Sequence, residues 1–201
     1  MIFVVSGPSG CGKSTLIGRI LADAGDLRFS VSHTTRPMRE TEVDGRDYHF
    51  ASGEKFDAMV RAGDFVEWAE VHGHRYGTSR AEVGAAAGDV VLDIDVQGAR
   101  EIRKSGLRAT LVFVMPPVFA ELRTRLLRRG TDGPDAVERR LRKAREEVLA
   151  FPEFDYVIVN EALETAVEEL RSIIRAERCR PGVRMERIEA ILRSFSGEGR
   201  P

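Results

Sequence analysis

The stretch Gly7-Pro8-Ser9-Gly10-Cys11-Gly12-Lys13-Ser14-Thr15 sets two glycines with four residues between them, then a lysine and a hydroxyl. That spacing suits a phosphate cradle. Glycines let the backbone wrap around an anion, successive amides point inward as a nest, and the helix that follows adds its positive end. Lys13 would reach the β- and γ-phosphates of a bound ATP, and the Ser14 hydroxyl would ligate Mg²⁺. The loop lies between an apolar run, Ile2 to Val5, and a helical stretch, Ser14 to Ala22, which is the setting the pattern requires. A mere strand-to-helix turn with an exposed lysine leaves the full pattern unexplained.

Two carboxylates point to the same place. Asp93 ends the run Val90-Val91-Leu92 and should emerge at the tip of a neighbouring strand, where it can hold a magnesium shell directly or through water. Asp95 either joins it or caps the next helix. Arginines crowd residues 119–147, at positions 123, 125, 128, 129, 139, 140, 142 and 145. In the helix expected from Asp135, Val137, Leu141, Ala144 and Val148 form an apolar stripe, and Arg140 lies along its edge. Arg139, Arg142 and Lys143 point elsewhere, toward solvent.

These residues need a scaffold, and the hydrophobic pattern outlines one. Short Val- and Ile-rich runs recur at Ile2 to Ser6, Phe29 to Ser32, Val90 to Asp95, Thr110 to Met115 and Tyr156 to Asn160, as in strands buried on both faces of a parallel sheet. Helical stripes lie between them: Leu16, Ile17, Ile20 and Leu21, then Leu163, Val167, Leu170 and Ile174. Pro116-Pro117 ends one strand and suits a helix start. The alternation predicts an α/β layered sheet with right-handed crossovers. Residues 33–83 and 119–147 break it and read as insertions at the carboxyl edge of the sheet. In the first, Asp44-Gly45 signals a hairpin, and Phe65-Val-Glu-Trp-Ala-Glu alternates, with Val66 and Trp68 on one face and Glu67 on the other.

Composition excludes several classes. The 31 Lys and Arg against 32 Asp and Glu leave no global basic field for nucleic acid or a membrane surface. Two distant cysteines, Cys11 and Cys179, imply a reducing compartment, and neither a leader nor a spanning run is seen, so a soluble cytoplasmic protein is expected. Asp95-Val-Gln-Gly98 resembles a GTPase switch, but the sole asparagine, Asn160, precedes Glu161, so the guanine-reading Asn-Lys-x-Asp box cannot exist. A phosphotransferase, or a protein that binds without reacting, remains.

"SGPSGCGKST", "SVSHTTRPMRETEVDGRDYHF", "DFVEWAEVHGHRYGTS", "LDIDVQGA", "RRGTDGPDAVERRL" and "DYVIVN" occur in this order from about Ile2 to Cys179. Together they resemble the guanylate kinase family. The resemblance implies a P-loop nucleoside monophosphate kinase fold. Its parallel-sheet core would take 1–32, 84–118 and 148–179, with a GMP-binding insertion at 33–83, a helical lid at 119–147 and a tail at 180–201. It implies transfer of the γ-phosphate of ATP to GMP or dGMP with Mg²⁺. Arg36, Arg39, Tyr48 and Tyr76 would hold the GMP phosphate as fork and phenol donors. Glu67, Ser32 and Thr78 would read the base, and Asp95 would also belong to the GMP site. Arg129, just before Gly130, would partner Arg140 on the transferred phosphate, beside Lys13 and Asp93.

Asn160 either shapes the adenine pocket or serves a strand-end turn. Cys11 is a small filler or, at a helix start that lowers a thiol pKa, a redox-sensitive residue. His33, His49, His72 and His74 flank the insertion. Scaffold domains of this type bind phosphorylated peptides instead, but they tend to lose the phosphate loop and lid arginines that this chain keeps. The tail after Arg180 packs on its own domain or on a second copy in a homo-oligomer, and the sequence leaves that choice open.

Overall fold

In the computed structural model, residues 1–23, 25–71, 73–84, 88–128 and 133–195 are described. The strands are β1 (Ile2–Ser6), β2 (Leu27–Phe29), β3 (His33–Thr34), β4 (His49–Phe50), β5 (Phe65–Val71), β6 (His74–Ser79), β7 (Asp89–Asp93), β8 (Ala109–Met115) and β9 (Tyr156–Val159). The helices are α1 (Lys13–Asp23), α2 (Gly53–Ala62), α3 (Arg80–Gly84), α4 (Val96–Lys104), α5 (Phe119–Arg128), α6 (Pro134–Glu147), α7 (Leu163–Glu177) and α8 (Met185–Phe195), with a 3-10 turn at Val148–Glu153.

The main sheet is parallel, in the order β2-β7-β1-β8-β9. Its strands are apolar without alternation because both faces are covered. Phe3, Val5, Val91, Val112 and Val114 pack with Leu16, Ile17 and Ile20 of α1 and Val167, Leu170 and Ile174 of α7. Val4, Val90, Leu92 and Leu111 face the other way, onto Ala99 and Ile102 of α4. Each such side chain is worth roughly 1.5–3 kcal/mol of burial, which fixes the sheet rigidly behind its carboxyl edge. The register sets Val5 of β1 opposite Asp93 of β7, so the loop after β1 and the tip of β7 emerge side by side.

The first insertion forms a second sheet, β4-β3-β6-β5, with α2 against it. Ser52 caps α2 by accepting from the Lys55 amide, and Gly63 ends it in the left-handed region at φ 72°. The expected alternation of β5 is interrupted. A register shift between Phe65 and Glu67 is a β-bulge. Phe65 stacks on Phe56 of α2 at 4.6 Å and Trp68 meets the same ring edge-on. Val66 instead packs against the core cluster that includes Ile94, Ala99 and Ile102, and Glu67 lies beside Gly98 of α4. The bulge therefore turns Val66 and Glu67 toward the core while Trp68 faces α2, a correction to the pairing of Val66 with Trp68. Asp44-Gly45 also differs from the expected hairpin. Gly45 (φ 77°) makes a turn closed by its amide to Tyr48 O, and the chain returns as β4, parallel to β3.

In the second insertion, α5 and α6 pack Leu122 and Leu126 on Val137, Leu141 and Ala144. The first expected strand after α1 lies earlier than read, at Leu27–Phe29, because pairing with β7 ends at Val91. The tail folds back first: Val183 joins Met1, Ile2 and Val90 around a groove at the amino edge of the sheet. α8 then carries no buried residue. Among the described residues, no helix is long and apolar enough to cross a membrane.

Candidate active site

The loop after β1 is built as its glycines require. Gly7 has φ 142° and a Cβ there would lie 2.2 Å from Val114 O. Gly12 has φ 100° and a Cβ there would lie 2.3 Å from Asn160 Nδ2. No L side chain fits either position. Lys13 opens α1 and its ammonium donates to Gly7 O at 2.8 Å. Desolvation opposes that charge, but Cys11, Asp93, Glu147 and Asp95 outweigh it and hold the ammonium above its usual range. Ser14 Oγ donates to Asp93 Oδ2 at 2.8 Å, so a hydroxyl and a carboxylate meet at the loop mouth.

The back of the loop is braced. Asn160 is buried, and its Nδ2 donates to Cys11 O at 2.8 Å. Arg125 of α5 donates to the same carbonyl at 3.1 Å and to Asn160 O at 3.0 Å, and its ε-nitrogen bonds Glu121. Asn160 thus stands behind the loop. Pro8 is buried with it, its carbonyl accepting from the Cys11 amide, while Thr15 is exposed on α1. The Cys11 side chain is fully buried, and burial pushes its thiol up against the lowering by Lys13. The lowering expected at a helix start loses to desolvation.

Across the cleft stands a wall from the first insertion. Glu67 is buried, and its Oε1 accepts from the Thr78 amide at 3.0 Å and from Thr78 Oγ1 at 2.6 Å. Its other oxygen lies where a Cβ on Gly98 would come within 2.8 Å, so the missing side chain at 98 makes room for the carboxylate. Desolvation raises Glu67 to about 7, with Asp95 and Glu101 adding to the rise and the Thr78 bonds opposing it. Ser32, Tyr48, Tyr76 and Asp95 line the same cleft as Gly7, Lys13 and Ser14. Burial, then Asp93, pushes Tyr48 up to about 12, so its hydroxyl stays a donor.

Arg36 packs over the Tyr48 ring at 5.4 Å and pairs with Glu42 Oε1 at 2.6 Å. Arg39 is more exposed, with its amide donating to Glu42 Oε2 at 2.9 Å and its guanidinium 3.9 Å from Glu42 Oε1. Glu42, unmarked in the sequence reading, ties both arginines together, and Arg36 holds it below the usual carboxylate range. Asp95 serves two partners. Its Oδ1 accepts from the Gly98 amide at 2.9 Å as the cap of α4, and its Oδ2 lies 3.5 Å from Lys143 Nζ.

The third side is α6, which sends Arg140, Lys143 and Glu147 into the cleft while Arg139 and Arg142 stay exposed. Lys143 departs from the expected solvated placement. It sits three residues after Arg140, hence on the same helical face, and that spacing was the available signal. Arg125, which the sequence analysis did not single out from its neighbouring arginines, lies between the buried Leu122 and Leu126 of α5. Arg129, the expected partner of Arg140, lies outside the described residues, as does His72. The His33 and His49 rings lie tilted against each other with centroids 4.6 Å apart, His49 reaches Glu82 at 3.1 Å, and His74 lies on β6.

A cleft with a phosphate loop on one side, a buried carboxylate on the other and cations on a third can hold two phosphorylated ligands end to end. The guanylate kinase family profile matches residues 1–177. A guanylate kinase of Polaromonas sp. is 48% identical over 180 residues, spanning 88% of this chain and 87% of the relative. One of Thermotoga maritima is 45% identical over 199 residues, spanning 98% and 96%. The crystal structure of guanylate kinase from Anaplasma phagocytophilum superposes with a TM-score of 0.74 at 34% identity, over 90% of this chain and 87% of that one. The chain belongs to the guanylate kinase family.

Proposed function

We propose that the chain transfers the γ-phosphate of ATP to GMP, and to dGMP, giving ADP and the guanosine diphosphate, in the cytoplasm. The supporting observation is the buried Glu67 across the cleft from Lys13, oriented by two bonds from Thr78. An ionised carboxylate accepts from both N1–H and the exocyclic amine of guanine. Adenine offers it an unprotonated N1, leaving a buried charge unpaired at roughly 1–3 kcal/mol or more. Thr78 then acts through Glu67, while Ser32 and Asp95 complete the base wall. Tyr48, Tyr76, Arg36 and Arg39 are assigned to the GMP phosphate.

On the donor side, the loop from Gly7 to Thr15 cradles the triphosphate, Lys13 reaches its outer phosphates, and Asn160 supports the loop from behind. A GMP phosphate oxygen is already a competent anionic nucleophile and needs no general base. Its new bond to the γ-phosphorus replaces the bond to the bridging oxygen, whose electron pair leaves with ADP. Arg140, with Arg129, offsets the charge that spreads over the moving phosphoryl group.

Ser14 Oγ and Asp93 Oδ2 are oxygen donors at the loop mouth and fit a hard cation. Among the described residues no cluster of three or more His, Cys, Asp or Glu side chains forms a cage, which suits an ion held mainly by phosphates and water. When bound, Mg²⁺ supplies charge compensation to the phosphate oxygens. A coupled ADP-release assay over GMP, AMP, CMP and UMP tests the reading: kcat/KM should favour GMP strongly, and equal turnover of AMP would refute it.

A further inference from the structure

The cleft brings carboxylates close to the place where the phosphates of both substrates must settle. Among the described residues, four carboxylates line it, Glu67, Asp93, Asp95 and Glu147, with the cations Lys13, Arg140 and Lys143. Two strongly anionic nucleotides must approach this surface. Glu67 is held by Thr78 and Asp93 by Ser14, and one oxygen of Asp95 caps α4. Glu147 has no comparable place in the binding scheme, yet its side chain is only 11% exposed, close enough to Lys13 to act on its charge.

Lys143 stands between Glu147 and the oxygen of Asp95 that does not cap α4. Its Nζ lies 3.3 Å from Glu147 Oε1 and 3.5 Å from Asp95 Oδ2. Helix stability does not explain the first contact. Lys143 precedes Glu147 by four residues, the weaker order for such a pair, and Glu147 ends α6, where a carboxylate opposes the helix dipole. Burial raises Glu147, and Lys143 and Lys13 oppose that rise. The second contact crosses from the lid helix to the start of α4.

We propose that Lys143 is a positioning residue for phosphoryl transfer, one that cancels Asp95 and Glu147 so that the phosphates of both substrates can settle against Lys13 and Arg140. The proposal deepens the kinase reading and rests on it. Removing Lys143 leaves two carboxylates facing the incoming phosphates at a distance where Coulomb repulsion in a partly buried site is substantial. Removing Glu147 as well should relieve most of that repulsion.

The test is a double-mutant cycle of Lys143→Met, Glu147→Gln and the double variant, with Lys143→Arg alongside. Lys143→Met should lower kcat/KM for GMP by about tenfold or more, mostly through KM, and Lys143→Arg should stay within about threefold of the parent. The double variant should return to within about threefold of Glu147→Gln alone. Affinity for a fluorescent ATP analogue, measured on the same proteins, should follow the same pattern. That binding cycle keeps the proposal separate from the acceptor's identity: a parent that binds ATP but ignores GMP refutes the kinase reading, and the cycle still judges Lys143. Thermal melts guard against misfolding, and Lys143→Gln takes the place of any Met variant that melts below the assay temperature. A Lys143→Met enzyme equal to the parent, or a loss of the same size with Glu147 replaced, overturns the proposal.

Discussion

Replacing Glu67 by Gln should strengthen the fold while crippling the enzyme. The substitution keeps the side chain's volume and an Oε1 that still accepts from Thr78 N and Oγ1. What disappears is a charge buried at 6% exposure. The folded carboxyl titrates at about 7 against a reference of 4.5. Because the folded-state value is raised, the wild-type stability is fully present below the unfolded value and is lost as pH rises through the folded one. A shift of that size corresponds to roughly 3 kcal/mol at 1.36 kcal/mol per unit. Gln does not titrate, so the variant escapes the loss. For a chain of this length, each kcal/mol moves Tm by about 2–4 °C, giving an upper bound of roughly 6–12 °C in favour of the variant above neutral pH and almost nothing near pH 4. The assay is a pair of thermal melts across that range. On the same protein, kcat/KM for GMP should fall by about ten- to a hundredfold, the worth of hydrogen bonds to an ionised acceptor. A variant whose Tm advantage is the same at both ends of the range, or whose GMP use is unchanged, refutes the reasoning.

Gly98→Ala places a Cβ 2.8 Å from Glu67 Oε2, so KM for GMP should rise by about tenfold or more while affinity for ATP holds; an unaltered KM would remove Gly98 from the guanine wall. Arg140→Met should lower kcat by roughly a thousandfold and leave KM for GMP within about threefold; steady-state kinetics showing the reverse split would take Arg140 out of the catalytic set. Cys11 is buried with a raised thiol, so peroxide should inactivate the parent and Cys11→Ser at equal rates, and protection by the serine would contradict that.

Much of this was legible in the residues, and the exceptions share a cause. The phosphate loop and the parallel strands announce themselves because local constraints decide them: glycine geometry in one case, two-sided burial in the other. Within β5 the alternation misled, since a single bulged residue reverses which side chains share a face and nothing in Phe65-Val-Glu-Trp marks the bulge. Lys143 was read as solvated because the apolar stripe of α6 was considered without the carboxylates that it meets across the cleft. Glu42 escaped for a similar reason: its part is to hold Arg36 and Arg39, a pairing that exists only once the loop has folded. The contact of Asn160 with Cys11 O depends on β1 and β9 flanking β8, which only the topology reveals.

The central claim is that guanine is read by a buried carboxyl, raised by desolvation to about 7, whose ionised form the base's N–H donors stabilise. Isotope-edited NMR of the Glu67 carboxyl carbon, titrated with and without GMP, tests it most directly. The carboxyl should titrate near 7 in the free protein, and GMP should drive it to the ionised form and lower that midpoint. An ordinary midpoint near 4.5 that GMP leaves in place would contradict the account.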